Sequence, residues 1–332
     1  MTAFGTVFMP EMAISFFDGA RWSDAQIVPS DSLKLHPGAH VLHYSSTCFE
    51  GLKAFRHGDG SIRIFRMDRN LARFANSSQM LSLPAIDQAA TAQMVVDIVR
   101  RFADAVPEVP GSMYIRPTHI GTEPAIGKAA APSLTSCQYV LLSPVGDYFA
   151  GKGDNGLRLL LEEDSMRCAA HMGMIKSGGN YASALGLTLR AKQEFHIDQI
   201  LFCPNGDVQE TGAANFLLID GDTLITKALD STFLHGITRD SILTLAREMG
   251  MDVQERQLSI EELLERVAKP GCEAALSGTA AVLTAVGTLL HKGREYTVGT
   301  GKLGPTTARL RKALNDIQWG HREDTHGWLT SI

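Results

Sequence analysis

Two spacings organise the apolar residues of this chain. Apolar and polar residues alternate in Ile62-Arg63-Ile64-Phe65 and from Ser112 to Ile120, which predicts strands, because successive strand side chains face opposite ways. Between them, Ala89 to Val106 places Met94, Val95, Ile98, Val99 and Phe102 three or four apart, with arginines between. That is the spacing of a helix with one buried face. Gln138 to Leu142 is a short continuous apolar run and reads as a buried strand. The glycine-bearing stretch from Pro144 to Gly156 has no periodicity. It predicts a linker at residues 144–155 between a small N-terminal domain, 1–143, and a larger C-terminal domain, 156–332. Beyond it, Leu157 to Leu161, Gln199 to Phe202, Phe216 to Ile219 and Ala274 to Leu276 read as strands. Helices are expected over Thr238 to Met249 with Thr238 as N-cap, after the capping box Ser259-Ile260-Glu261-Glu262, and over Thr306 to Ile317.

Composition narrows the function classes. With 332 residues, 44% hydrophobic and 20% charged, the chain can bury one large or two ordinary cores. A net charge of −5 argues against nucleic acid or an acidic membrane as partner. The five cysteines, Cys48, Cys137, Cys168, Cys203 and Cys272, form no CxxC pair. Reduced thiols in a cytoplasmic protein are therefore expected. No secretory signal and no membrane-length apolar run is read in the sequence.

Some motifs mislead. Gly299-Thr300-Gly301-Lys302-Leu303-Gly304 spells GxGxxG, but too little chain follows for a nucleotide-binding half, so it reads as a turn. Gly121 to Lys128 misses the spacing of a phosphate loop. His36, His40 and His43 are interrupted by Pro37-Gly38, so no metal site is expected.

The octet Met174-Ile175-Lys176-Ser177-Gly178-Gly179-Asn180-Tyr181 is the most informative segment. Small neighbours leave room beside a lysine amine, as a Schiff base with pyridoxal phosphate requires. That cofactor also needs an acid for its ring nitrogen, a donor for its phenolate, and amides with a cation for its phosphate. Glu210, Tyr181, and the run Gly236-Ile237-Thr238 with Thr279 are candidates in turn. Each has an ordinary alternative: a loop acid, a core aromatic, a plain N-cap. Their joint occurrence favours the chemical reading.

With those residues in place, the chain resembles the branched-chain amino acid aminotransferases, fold-type IV pyridoxal-phosphate enzymes. The likeness is carried by His43-Tyr44-Ser45, Phe49-Glu50-Gly51-Leu52-Lys53-Ala54-Phe55, Tyr114-Ile115-Arg116-Pro117, Ile120-Gly121-Thr122-Glu123-Pro124, the lysine octet and Ser277-Gly278-Thr279-Ala280. It implies an α/β fold with a small domain, a larger pseudo-barrel domain and a homodimeric active unit. It implies Lys176 as the Schiff-base and catalytic lysine, and Arg73, Tyr181, Glu210, Ile237, Thr238 and Thr279 as cofactor ligands. Phe4, Tyr44, Phe49, Tyr114, Arg116, Ile126, Thr279 and Ala280 would contact substrate, with Tyr44 and Ile126 crossing from the partner subunit. The implied reaction moves the amino group of leucine, isoleucine or valine to 2-oxoglutarate in two half-reactions. Ala213 stands where many relatives carry threonine and Lys128 where some carry an apolar residue, and Ala281 and Thr284 occupy the positions of the redox CxxC of mammalian relatives, so no thiol switch is expected. The rivals are a D-amino acid transaminase or lyase of the same fold, and a binding protein without activity.

Overall fold

In the computed structural model, which describes residues 4–147 and 154–332, the alternating segments assemble into two eight-stranded sheets. The first takes β1 (Glu11–Phe17), β2 (Gln26–Pro29), β3 (Thr47–Phe49), β4 (Leu52–Arg56), β5 (Ile62–Phe65), β6 (Ser112–Gly121) and β7 (Ser136–Val145). The eighth is β16 (Leu329–Ser331), and the order is β16-β5-β4-β6-β7-β1-β2, with β3 also paired to β6. The longest ladder, β6 with β7, runs antiparallel from Ser112 opposite Val145 to Gly121 opposite Ser136. Three helices belong to this part: α1 (His40–Tyr44), α2 (Met67–Met80) and α3 (Gln88–Arg101). α3 opens on Asp87, whose carboxylate accepts from the amides of Ala89 and Ala90. Its buried face holds Met94, Val95, Ile98 and Val99, as the spacing predicts. Each contributes about 1.5–3 kcal/mol by leaving water. The regular helix ends at Arg101, and Ala103–Ala105 forms only a short tighter turn.

The second sheet takes β8 (Leu157–Glu162), β9 (Gln199–Phe202), β10 (Asn215–Asp220), β11 (Thr223–Thr226), β12 (Asp252–Glu255), β13 (Glu273–Gly278), β14 (Val282–His291) and β15 (Arg294–Thr297). Its order is β12-β11-β10-β13-β14-β8-β9, with β15 beside β14. The parallel pairs β14–β8 and β8–β9 need long crossovers. α4 (Gly178–Phe195) fills the crossover from β8 to β9, and α5 (Ile237–Glu248) precedes β12. α6 (Ile260–Val267) starts on Ser259, whose hydroxyl accepts from Glu262 N–H. Leu159, Leu201, Phe216, Leu218, Leu263 and Leu289 are central to this unit's core. α7 (Pro305–Gln318) and β16 (Leu329–Ser331), which pairs with β5, end the chain.

The α/β segments group into two units. One comprises Met1–Tyr148, Ile175–Gly178 and Ile317–Ile332, the other Phe149–Met174 and Gly179–Asp316. Two further expectations meet the structure differently. The expected linker at 144–155 begins inside β7, which runs to Val145, and its residues 148–153 lie outside the described residues. The N-cap of α5 is Gly236, with extended backbone, and Thr238 lies inside the first turn with no capping bond from a side chain.

Candidate active site

Lys176 is built into the first unit although the second supplies the chain on both sides of it. Its carbonyl accepts from Phe49 N–H at 3.0 Å, Ser177 forms a bridge to Cys48, and its own N–H donates to Ser77 Oγ at 3.2 Å. The lysine segment is thus bridged edge-on to β3 and pinned from the α2 side. Ser78, next on α2, bonds His119 Nδ1 at 3.0 Å, and His119 Nε2 bonds Ser136 at 2.9 Å. Burial pushes His119 down to about 4, so this support stays neutral in physiological conditions.

The Lys176 amine stands 5.3 Å from the centroid of the Phe49 ring. Phe49 also walls a cavity of about 380 Å³ together with Phe4, Tyr114, Arg116 and Leu142. The Arg116 guanidinium lies 4.6 Å from the Phe49 centroid and 5.2 Å from that of Tyr114. Its Nη2 donates to the Tyr114 hydroxyl at 2.8 Å. Its buried Nε has no hydrogen-bond partner among the described residues, and an unpartnered buried donor calls for an acceptor. Gly51 makes the arrangement fit: a Cβ there would stand 2.0 Å from the Tyr114 hydroxyl oxygen.

Other expected site residues of this unit fall into two groups. Arg73 on α2 grips Glu50 with two bonds, Nε to Oε1 at 2.7 Å and Nη2 to Oε2 at 2.9 Å. The Tyr44 hydroxyl donates to the Ile126 carbonyl, so these two come together even though Ile126 leaves 69% of its surface exposed. Neither lines the Phe49 cavity. Lys128, near them in sequence, pairs with Glu123 at 2.5 Å.

The second unit, taken by itself, holds a buried acid. Glu210 precedes β10 and forms a bridge to Asn215. Its Oε1 accepts from Leu234 N–H at 3.0 Å and its Oε2 from Asn215 Nδ2 at 3.2 Å. Arg167 Nε stands 2.7 Å from Oε1. Such a donor set favours the ionised carboxylate. Sequence reasoning passes over Arg167 and Asn215. Arg167 sits in an aperiodic loop, and Asn215 carries a signal only through its neighbours.

Ile237 and Thr238 occupy the first turn of α5, with Thr238 buried. The helix begins on a glycine without a side-chain cap, which leaves first-turn amides and the positive helix end for an anion. α7, behind the GxGxxG run, differs: Glu273 accepts from the amides of Thr306 and Thr307 at 2.9 and 2.7 Å. That helix end is already satisfied by a carboxylate. Tyr181 lies half-buried in the first turn of α4, and half-buried Thr279 and Ala280 form the β13–β14 turn. Val282, which ends that turn, has φ 57°, a strained position for a β-branched residue.

All five cysteines are buried free thiols. Burial pushes Cys48 and Cys137 up to about 12 and Cys272 to about 11, and raises Cys168 and Cys203 as well. Because the thiolate is the form that burial penalises, the neutral thiols favour folding fully below pH 9. That contribution fades as pH climbs through about 12. Iodoacetamide at neutral pH is expected to add no carboxamidomethyl group to folded protein, checked by intact mass. Stoichiometric labelling of one cysteine in the folded state would contradict this.

Residues 47–287 match the family model described as amino-transferase class IV. The chain is 36% identical to a probable branched-chain-amino-acid aminotransferase of Streptomyces coelicolor, over 99% of this chain and 92% of that protein. It is 34% identical to branched-chain-amino-acid transaminase 1 of Bacillus subtilis, over 99% and 94%. The structure of a T.th. branched-chain amino acid aminotransferase with pyridoxamine 5'-phosphate superposes with TM-score 0.79 at 27% identity, covering 96% of this chain and 97% of that one. The Escherichia coli branched-chain amino acid aminotransferase gives 0.76 at 27% identity, covering 96% and 98%. No helix among the described residues is long and apolar enough to cross a membrane, and no cluster of metal-ligating side chains occurs among them. A match over most of the chain, and relatives of this identity over nearly all of it, place the chain in the class IV aminotransferases, among the branched-chain amino acid aminotransferases of fold type IV.

Proposed function

We propose that the protein transfers the amino group of L-leucine, L-isoleucine or L-valine to 2-oxoglutarate, using pyridoxal 5'-phosphate in alternating half-reactions. One observation carries the reading. A lysine amine fixed through its backbone at both N–H and C=O stands beside the aromatic wall of a cavity with a guanidinium in its lining.

The donor set fits the cofactor. The first unit offers an amine and a guanidinium, the second an ionised acid and an uncapped helix start. Bound pyridoxal phosphate supplies an aldehyde and a ring that accepts electrons. Lys176 is the attachment point and moves the proton at the substrate α carbon. Glu210 holds the proton on the ring nitrogen, and Tyr181 donates to the ring oxygen. Arg73, Ile237, Thr238 and Thr279 bind the phosphate. Phe4, Phe49 and Tyr114 surround the substrate side chain, while the Thr279-Ala280 turn and Tyr44 of the partner subunit meet its carboxylate. Ile126 of the partner subunit completes the pocket. The working form is then a homodimer with a shared site and two domains per chain. Five reduced thiols suit a reducing cytoplasm.

Mixing the purified protein with pyridoxal phosphate, reducing with borohydride and mapping the modified peptide tests the assignment. A stable label on Lys176 together with leucine-dependent glutamate formation is expected. Turnover of D-alanine without L-leucine would overturn it.

Arg116 is assigned to the side-chain carboxylate of glutamate and 2-oxoglutarate, which must not be buried unpaired. A charge-assisted hydrogen bond is worth about 1.5–3 kcal/mol. Arg116→Ala is therefore expected to lower kcat/KM for glutamate roughly 10- to 100-fold more than for leucine. Equal losses on both substrates would refute the role.

A further inference from the structure

Arg167 and Glu210 form a charge pair that is closed to water, with side chains 4% and 3% exposed and 2.7 Å between Nε and Oε1. The Nε–H makes no aligned hydrogen bond among the described residues, so this contact acts through charge. The aligned bond of Arg167 points the other way, from Nη2 to the carbonyl of Gly173 at 3.0 Å. Burying two opposite charges is a costly way to hold a loop, since apolar residues of similar volume often do so as well or better. The pair therefore calls for a role beyond stability.

The surroundings suggest one. Gly173 lies so close to the next segment that a Cβ on it would stand 2.0 Å from the Thr232 carbonyl carbon. Asn180 on α4 donates to the Met172 carbonyl at 2.7 Å, holding the same loop just before the lysine octet. On its other side, Glu210 accepts from Leu234 N–H, and Asn215 donates both to Glu210 and to the Leu234 carbonyl at 2.8 Å. Two residues on, a Cβ at Gly236 would fall 1.9 Å from Asn215 Oδ1, and Gly236 opens α5. Arg167, Glu210, Asn215 and the run from Thr232 to Gly236 thus form one continuous frame.

We propose that Arg167 is a positioning residue that keeps Glu210 ionised and locks it at a fixed distance from the first turn of α5. The proposal rests on the reading that Glu210 serves the ring nitrogen and the α5 amides serve the phosphate. The guanidinium competes for the charge of Glu210 and so limits how firmly the carboxylate holds the ring proton. Removing a positive charge strengthens proton binding at every nearby group, so its loss moves cofactor ionisation to higher pH.

The test uses the full-length protein and pyridoxal 5'-phosphate, with two readouts: the dissociation constant of the cofactor, and the pH midpoint of its visible absorption band once bound. Arg167→Met is expected to raise the midpoint by about one unit and to weaken cofactor binding roughly 10- to 100-fold. Arg167→Lys retains the charge but cannot reach both Glu210 and Gly173. It is expected to keep the wild-type midpoint while still binding at least about 10-fold more weakly. A purely structural arginine would not separate midpoint from affinity in this way. Wild-type midpoint and affinity in Arg167→Met overturn the proposal. Should that variant fail to fold, wild-type affinity or a displaced midpoint in Arg167→Lys overturns it instead. A wild-type protein that takes up no pyridoxal phosphate defeats the cofactor reading and this inference together, whereas normal uptake with indifferent variants defeats the inference alone.

Discussion

Replacing Lys176 with alanine is expected to abolish transamination while leaving the fold in place. The backbone of residue 176, not its side chain, makes the bonds to Phe49 and Ser77, so truncation beyond Cβ leaves the bridge to β3 in place. What disappears is the amine. Proton transfer by a positioned group is worth about 10²–10⁴-fold on its own, and loss of covalent attachment adds to that. Turnover of leucine with 2-oxoglutarate should fall by at least about 10³-fold, with circular dichroism and denaturation midpoint near wild type. Lys176→Arg is the sharper variant, because guanidinium keeps the charge but cannot give up its proton or condense with an aldehyde. Leucine turnover within tenfold of wild type in Lys176→Arg would end the assignment.

Why Lys176 stands out as a candidate in the sequence and its surroundings do not follows from where the information lies. The octet is local: small residues beside a lysine state a chemical need that can be read in place. The same holds for α3, whose four buried residues share a helical face, and for the Ser259 cap, which depends on a residue three positions on. By contrast, the bonds that return Lys176 to β3 join residues more than a hundred positions apart. No local periodicity announces such a pairing. Arg167 lies in an irregular loop, where a cation normally faces solvent, and only the folded chain shows that it is buried against Glu210. The start of α5 departs by two residues from the expected cap for a related reason. Thr238 is a good N-cap by type, but Gly236 takes the cap, and this leaves the Thr238 hydroxyl and the first-turn amides to other partners. The departure from local preference falls where an anion site is expected.

Arg73 is the second position where substitution should have a large effect, and there structure and chemistry need to be separated. Glu50 is fully buried, at 0% exposure, and Arg73 grips both of its oxygens. Arg73→Met strands a carboxylate without a counter-charge, which costs about 3–5 kcal/mol. The denaturant midpoint of this variant should drop steeply. Removing the second charge as well, in the Glu50→Gln/Arg73→Met double variant, should recover most of that loss, since the stranded charge is then gone. Cofactor binding need not follow stability. If the guanidinium also meets the phosphate, the double variant regains stability but not the preference for pyridoxal 5'-phosphate over pyridoxal, which lacks the phosphate. A phosphate contact is charge-assisted and worth about 1.5–3 kcal/mol, so that preference should shrink by roughly 10- to 100-fold. A double variant that regains stability and also keeps the full preference would show that Arg73 acts only as the partner of Glu50, and phosphate binding would then rest on the amides of α5 and on Thr279.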